Sequence, residues 1–312
     1  MVIFPARGRI STGRRKIFFS VNSFQKMIHR STIQLLRFHF SLFLMPVYWF
    51  ALSQVVRPDA GRALLIFFII HFLIYPSSNG FNSYMDRDAG SIGGLKAPLP
   101  PTRQLLSASQ AMDTLALLLG LFVSIYFVLA AGLYIVASRA YSARSIRLKK
   151  YPLAGFSTVV LCQGALIFFM VYHGSHPLLT LRVPPLGMVA ASLLISGFYP
   201  FTQIYQHAAD AEDGVRTISA KLGIRGTFIF CGIMFTIAYI VLAYFFLTSL
   251  EIKEFLLFTT CMLPVLVYYM VWAKQVWRNP SKADYDHTMR MNIIASSCTS
   301  VGFILVFLMQ YL

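Results

Sequence analysis

The chain has 312 residues, 57% of them hydrophobic and only 12% charged, with a formal net charge of +16. A soluble domain carries roughly 25% charged residues, so this balance excludes an ordinary soluble fold and indicates a chain that lives in lipid. The positive excess is no nucleic-acid footprint, because the basic residues are dealt out between apolar runs and form no single patch; it reads as loop charge at an anionic membrane surface.

Residues 1–32 precede the first apolar run and hold Arg7, Arg9, Arg14, Arg15, Lys16, Lys26 and Arg30 with no acidic residue. No short apolar core with a small-residue cleavage site stands out, so the segment reads as a basic cytoplasmic arm on lipid headgroups, with a mitochondrial targeting segment as the second reading. Beyond it, apolar runs approach the roughly 18–20 residues that cross a bilayer. They fall at 33–54, 63–84, 105–124, 126–142, 153–172, 186–206, 226–248, 254–275 and 291–311. A tight break near Phe127–Gly132 is expected to part the third from the fourth. The fold expected for 33–312 is therefore all-α and polytopic: one domain of about nine transmembrane helices around a central cavity.

Orientation follows from the loops. With the N-terminus inside, all but Arg57, Arg62, Arg182 and Lys253 of the 27 Lys and Arg residues lie in the arm, at the inner end of the first span or in inner loops. The positive-inside rule then puts the N-terminus in the cytoplasm, and the cell (inner) membrane is the expected location. Cys162, Cys231, Cys261 and Cys298 sit in apolar runs without C-x-x-C spacing, and read as inert core thiols.

Two acidic segments stand out, each closing an apolar run on the expected cytoplasmic side. The first is Asn82-Ser83-Tyr84-Met85-Asp86-Arg87-Asp88, and the second is Gln206-His207-Ala208-Ala209-Asp210-Ala211-Glu212-Asp213-Gly214. Ionisable groups at the edge of a span are costly and mark sites. Asn82 and Asp86 are four apart and share a helix face, as do Gln206 and Asp210, with Asp213 close to that face. Carboxylates with amide oxygens suit a hard cation such as Mg²⁺, completed by water and substrate phosphate. Arg87, Lys96, Arg144, Arg147, Lys149, Arg216 and Lys221 surround the same mouth and are candidates to hold a diphosphate, although positive-inside topology by itself accounts for most of them.

These segments resemble the UbiA superfamily of intramembrane prenyltransferases, with its N-x-x-x-D-x-x-x-D and D-x-x-x-D-x-x-x-G motifs. Here the first reads Asn82-x-x-x-Asp86-x-x-x-Gly90, followed by Lys96-Ala97-Pro98-Leu99-Pro100 where the family often has R-P-L-P. The second reads Gln206-x-x-x-Asp210-x-x-x-Gly214, followed by Arg216-Thr217-Ile218 and Lys221-Leu222-Gly223. Tyr141-Ser142 and Leu148-Lys149-Lys150 resemble the family's cytoplasmic loop with a tyrosine and a lysine. The resemblance covers roughly 33–311 and implies a prenyl group moved from an isoprenyl diphosphate to a lipophilic acceptor, commonly aromatic or a quinone precursor, with Mg²⁺. It implies Asp86 and Asp210 as catalytic residues and Asn82, Asp86, Asp210, Asp213 and Gln206 as metal ligands. Lys149, Arg144, Arg87, Lys221 and Tyr141 become substrate contacts.

Gly90 and Gln206 stand where the family usually has aspartates, and Ser83 replaces another. Asp213 is the expected substitute by helical phase, whereas Asp88 would face away from Asp86 unless the helix ends there. Two rivals remain open at this point: a membrane terpene cyclase of the same superfamily, and a non-enzymatic transporter or lipid-binding protein. Elsewhere, Arg37 and His39 divide between snorkelling and lining the cavity, and Asp113 reads as a helix-end charge. His71 and His207 read as satisfied polar residues. Asp284, Asp286, His287 and Arg290 form a lid or a simple connector.

Overall fold

The computed structural model describes residues 29–249 and 251–311, so most of the expected basic arm lies outside the described residues. Among these residues the chain runs through nine long helical segments, and its only extended pairing is an isolated bridge between Ile92 and Leu95. The helices are α1 (Arg30–Ser53), α2 (Ala60–Asp86), α3 (Arg103–Gly120), α4 (Ile125–Ser142), α5 (Pro152–Ser175), α6 (Pro185–Glu212), α7 (Ile218–Thr248), α8 (Ile252–Arg278) and α9 (Tyr285–Met309). All but α3 are long and apolar enough to cross a membrane. The protein is an integral, multi-pass membrane protein. The shortfall of α3 is chemical: its 18 residues include Gln104, Ser107, Gln110, Asp113 and Thr114.

Two expectations are corrected here. The turn between α3 and α4 lies at 121–124, not at 127–132, because Ser124 caps α4 by accepting a hydrogen bond from the Phe127 amide at 3.0 Å. Asp113 is no helix-end charge. It sits inside α3 and pairs with Arg139 of α4, and its other oxygen accepts from Ser77 Oγ of α2 at 2.5 Å. Arg139 also lies over the Phe81 ring at 4.2 Å, so one polar knot ties α2, α3 and α4 together below the first acidic segment.

Most of the helices near the site are interrupted, for local reasons. α1 breaks at Arg37, whose backbone is left-handed (φ 50°). α2 widens into a π-helical stretch at Ile69–Ile74, one turn ahead of Pro76, whose ring would collide with a regular preceding turn. α5 widens likewise at Leu161–Leu166. There a Cβ on Gly164 would meet the Ser192 Cα at 2.4 Å, and Ser192 Oγ accepts from the Ala165 amide at 3.0 Å. The glycine lets α5 and α6 touch at the backbone, and the serine satisfies an amide that the bulge loosens. α6 tightens into a 3₁₀ stretch, Tyr199–Gln206, immediately before the second acidic segment. α7 starts earlier than expected and is broken at Gly223 (φ 70°). On the far side of the bundle the core is aromatic: Phe50 of α1 stacks on Phe303 of α9 at 4.6 Å, and Phe258 of α8 on Phe303 at 4.5 Å.

Candidate active site

The two acidic segments face one cavity of about 150 Å³, walled by the ends of α2 and α6, the break in α1 and the loop after α4. Asn82 and Asp86 share a helix face as their spacing requires, and Asn82 Nδ2 donates to Asp86 Oδ2 at 2.8 Å. The other oxygen of Asp86 lies 2.6 Å from the Lys149 ammonium, itself only 8% exposed. That lysine arrives on the short 3₁₀ turn Leu148–Lys150, set up by a left-handed Arg147 (φ 54°).

α2 ends at Asp86, because Arg87 takes a left-handed conformation (φ 56°) and its amide closes on the Ser83 carbonyl. The turn swings Asp88 into the cavity wall. From α6 come Asp210 and Gln206; the Gln206 amide nitrogen donates to the Ser91 carbonyl at 3.0 Å, which fastens the loop after α2 to the second motif. Asp213 does not line this cavity. It caps the end of α6 and pairs with Arg147, whose Nη1 also donates to the Asp213 carbonyl at 3.2 Å. Helical phase favours Asp213, but the helix does end before Asp88, the condition under which Asp88 is expected to join Asp86, and Asp88 lies in the cavity wall.

Among the expected substrate contacts, Lys149 and Tyr141 line the cavity. Arg144, Arg87 and Lys221 lie off its wall. Arg144 Nε donates to the Met85 carbonyl at 3.0 Å and so satisfies a terminal carbonyl of α2, while Arg87 and Lys221 are exposed. Arg37 does line the cavity. It is buried, and its Nη1 and Nη2 donate to the carbonyls of Gly93 and Asn79, both at 3.2 Å. Tyr199 is a lining residue that spacing alone did not flag; its hydroxyl lies 2.5 Å from that of Tyr141. A tyrosine just ahead of Pro200, one helical stretch before an acidic segment, is the only sequence signal for it. Of the residues left open between roles, Asp284 caps α9 and Asp286 pairs with Lys96 at 2.9 Å, so that stretch ties α9 to the loop after α2.

Asp86, Asp88 and Asp210 supply three carboxylates to this wall, against two cations, Lys149 and Arg37. Burial pushes the Asp88 carboxyl above its ordinary range and the neighbouring Asp86 adds to the shift, while Lys149 and Arg37 oppose it. An anionic ligand entering here needs further positive charge. Among the described residues, no three His, Cys, Asp or Glu side chains converge closely enough to hold an ion by themselves. The donors are instead carboxylates and amide oxygens on facing walls, a set that fits a hard divalent cation completed by ligand phosphate oxygens and water.

A second cavity of about 200 Å³ runs on from the first into the bundle, and Arg37, Phe40, Asn82, Tyr141, Tyr199 and Thr202 border both. Its walls are largely apolar, with Phe43, Leu44 and Val47 from α1, Val159 from α5, and Leu194, Ile195 and Phe198 from α6.

The sequence profile of the UbiA prenyltransferase family matches residues 42–294. No curated protein matches the chain. Among solved structures, a UbiA homolog from Archaeoglobus fulgidus bound to DMAPP and Mg²⁺ is similar, with a TM-score of 0.64 and 20% identity over 89% of this chain and 99% of that one. The same homolog bound to GPP and Mg²⁺ gives 0.62 and 20% over 89% and 99%. The apo UbiA homolog from Aeropyrum pernix K1 gives 0.62 and 16% over 86% and 98%. At these identities the structures establish a shared fold, and the profile covers most of the chain. This protein belongs to the UbiA prenyltransferase family.

Proposed function

We propose that the protein transfers an isoprenyl group from an isoprenyl diphosphate to a lipophilic acceptor, an aromatic or quinone-precursor ring, with Mg²⁺ as cofactor. The observation that carries this reading is the continuity of the two cavities: a carboxylate-rich chamber opens through a shared neck into an apolar one. A diphosphate with a hydrocarbon tail matches that polarity. The Archaeoglobus fulgidus homolog, solved with such diphosphates and Mg²⁺, supports it.

In this reading Asp86, Asp88 and Asp210, with the oxygens of Asn82 and Gln206, hold Mg²⁺, which when bound supplies positive charge to the diphosphate. Lys149 and Arg37 add fixed positive charge at the leaving group. The allylic C–O bond breaks and its electron pair departs with the diphosphate. The resulting cation lies at the neck, beside the rings of Phe40, Tyr141 and Tyr199, which shield it from water and offer it their π faces. The acceptor donates an electron pair to the allylic carbon and then loses a proton. The chain from 33 to 312 acts as one membrane domain, with its N-terminus and the mouth of the site on the cytoplasmic side of the inner membrane.

The test is diphosphate release from dimethylallyl, geranyl and longer diphosphates by protein in lipid nanodiscs. Chelation of divalent cations should abolish it, and Asp86→Ala or Asp210→Ala should each lower it by about 10²-fold or more, because each leaves the developing charge unbalanced in a water-poor site. Turnover of Asp210→Ala near that of the native protein would count against the site.

A further inference from the structure

The outer face of α3 does not suit lipid. Arg103, Ser107, Gln110 and Thr114, spaced four, three and four residues apart, form one exposed stripe, and Leu105, Ser109, Ala116 and Gly120 are buried on the opposite side. The Ser107 and Thr114 hydroxyls are satisfied within the helix, by the carbonyls of Arg103 at 3.5 Å and Gln110 at 3.0 Å. The side-chain amide of Gln110 has no hydrogen-bond partner among the described residues. At 1.5 Å per residue, Gln110 lies about 10 Å along the axis from Arg103 and Thr114 about 16 Å. α3 packs beside the spans α2 and α4, so this depth is hydrocarbon on its outer side. The other exposed side-chain amides among the described residues, Gln275, Asn279 and Gln310, all lie at helix ends. Arg103 reaches the headgroups from the helix end, but Gln110 cannot. Hydrocarbon offers its amide neither donor nor acceptor, and leaving it there costs free energy that a protein partner recovers.

We propose that this stripe is a dimer interface, and that its occupant is α3 of a second copy of the chain. Copies in one membrane share an orientation, so a closed two-fold pair sets α3 parallel to α3, and each residue at the crossing meets its own counterpart. That geometry demands self-complementary groups. An amide carries both donor and acceptor, so two Gln110 side chains satisfy each other reciprocally, and the serine and threonine hydroxyls share the same double character. The stripe from Ser107 to Thr114 is uncharged, so self-pairing brings no like charges together. Ala111, also exposed, presents only a methyl beside Gln110 and lets the two backbones approach.

The test uses the full chain in liposomes at falling protein-to-lipid ratio, with energy transfer between donor-labelled and acceptor-labelled copies. The native chain should pair. Gln110→Leu should weaken pairing by about five-fold or more, the effect expected of two interhelical hydrogen bonds in lipid, whereas Gln110→Asn keeps an amide and should pair more tightly than Gln110→Leu. Oxidative cross-linking locates the face. Ala111→Cys should give a disulfide-linked dimer above the background of the native cysteines, and Leu133→Cys, on the exposed face of α4, should not. A native chain that stays monomeric at every ratio overturns the proposal, as does cross-linking through Leu133→Cys in place of Ala111→Cys. A Gln110→Leu chain that pairs with native affinity overturns it too. The proposal stands or falls apart from the prenyl-transfer reading, since among the described residues α3 supplies none to either cavity.

Discussion

Asp86 is held on both sides, by Asn82 on one oxygen and by Lys149 on the other, and its position is already legible in the four-residue spacing of the first segment. Asp88 shows where such reading stops. Extrapolating the helix turns Asp88 away and Asp213 inward, but a left-handed Arg87 ends α2 and Arg147 claims Asp213. Helical phase says nothing about a residue past a helix end, and a single basic residue in a remote loop can withdraw a carboxylate from a site. Asp88→Asn should accordingly lower diphosphate turnover by about ten-fold or more and raise the Mg²⁺ needed for half-maximal rate, whereas Asp213→Asn should leave the Mg²⁺ dependence unchanged. Titrating Mg²⁺ against both variants checks this, and the opposite order would return the metal role to Asp213.

At the scale of elements, the apolar runs locate the helices well because a span must be long and apolar whatever it packs against. Their interruptions were not legible. The π-helical stretches in α2 and α5 answer to Pro76 and to the backbone contact between Gly164 and Ser192, and the second of these is a tertiary fact. Asp113 was misread for a related reason: its partners Arg139 and Ser77 lie 26 and 36 residues away in sequence. That pair is mostly buried, so Asp113→Asn strands the Arg139 charge and should cost on the order of 3–5 kcal/mol of stability. The Lys96–Asp286 pair is 68% and 59% exposed, and Lys96→Ala should cost no more than about 1 kcal/mol. Thermal unfolding of both variants in one detergent would rank them, and a reversed ranking would mean that the α2–α3–α4 knot bears little of the stability.

For the whole molecule, nine passes would put the two ends of the chain on opposite faces, and the loop charges are expected to place the N-terminal end inside. A reporter fused after Leu312 should therefore read the outer side, and one inserted between α8 and α9 the inner side. Agreement of the two would mean that α3 does not cross. The polar groups of the apolar cavity, by contrast, were not legible at all, since Asn79 and Asn292 are ordinary polar residues until the bundle leaves their amide nitrogens buried and unpaired. In the proposed reaction one continuous cavity ionises an allylic diphosphate at its polar end and joins the isoprenyl group to a ring at its apolar end. Mass spectrometry of products from geranyl diphosphate, Mg²⁺ and a panel of ring acceptors tests it directly. The expected result is diphosphate release together with a product equal in mass to acceptor plus geranyl minus one hydrogen. Diphosphate release yielding only cyclised hydrocarbon or alcohol, or no release with any chain length, would contradict it.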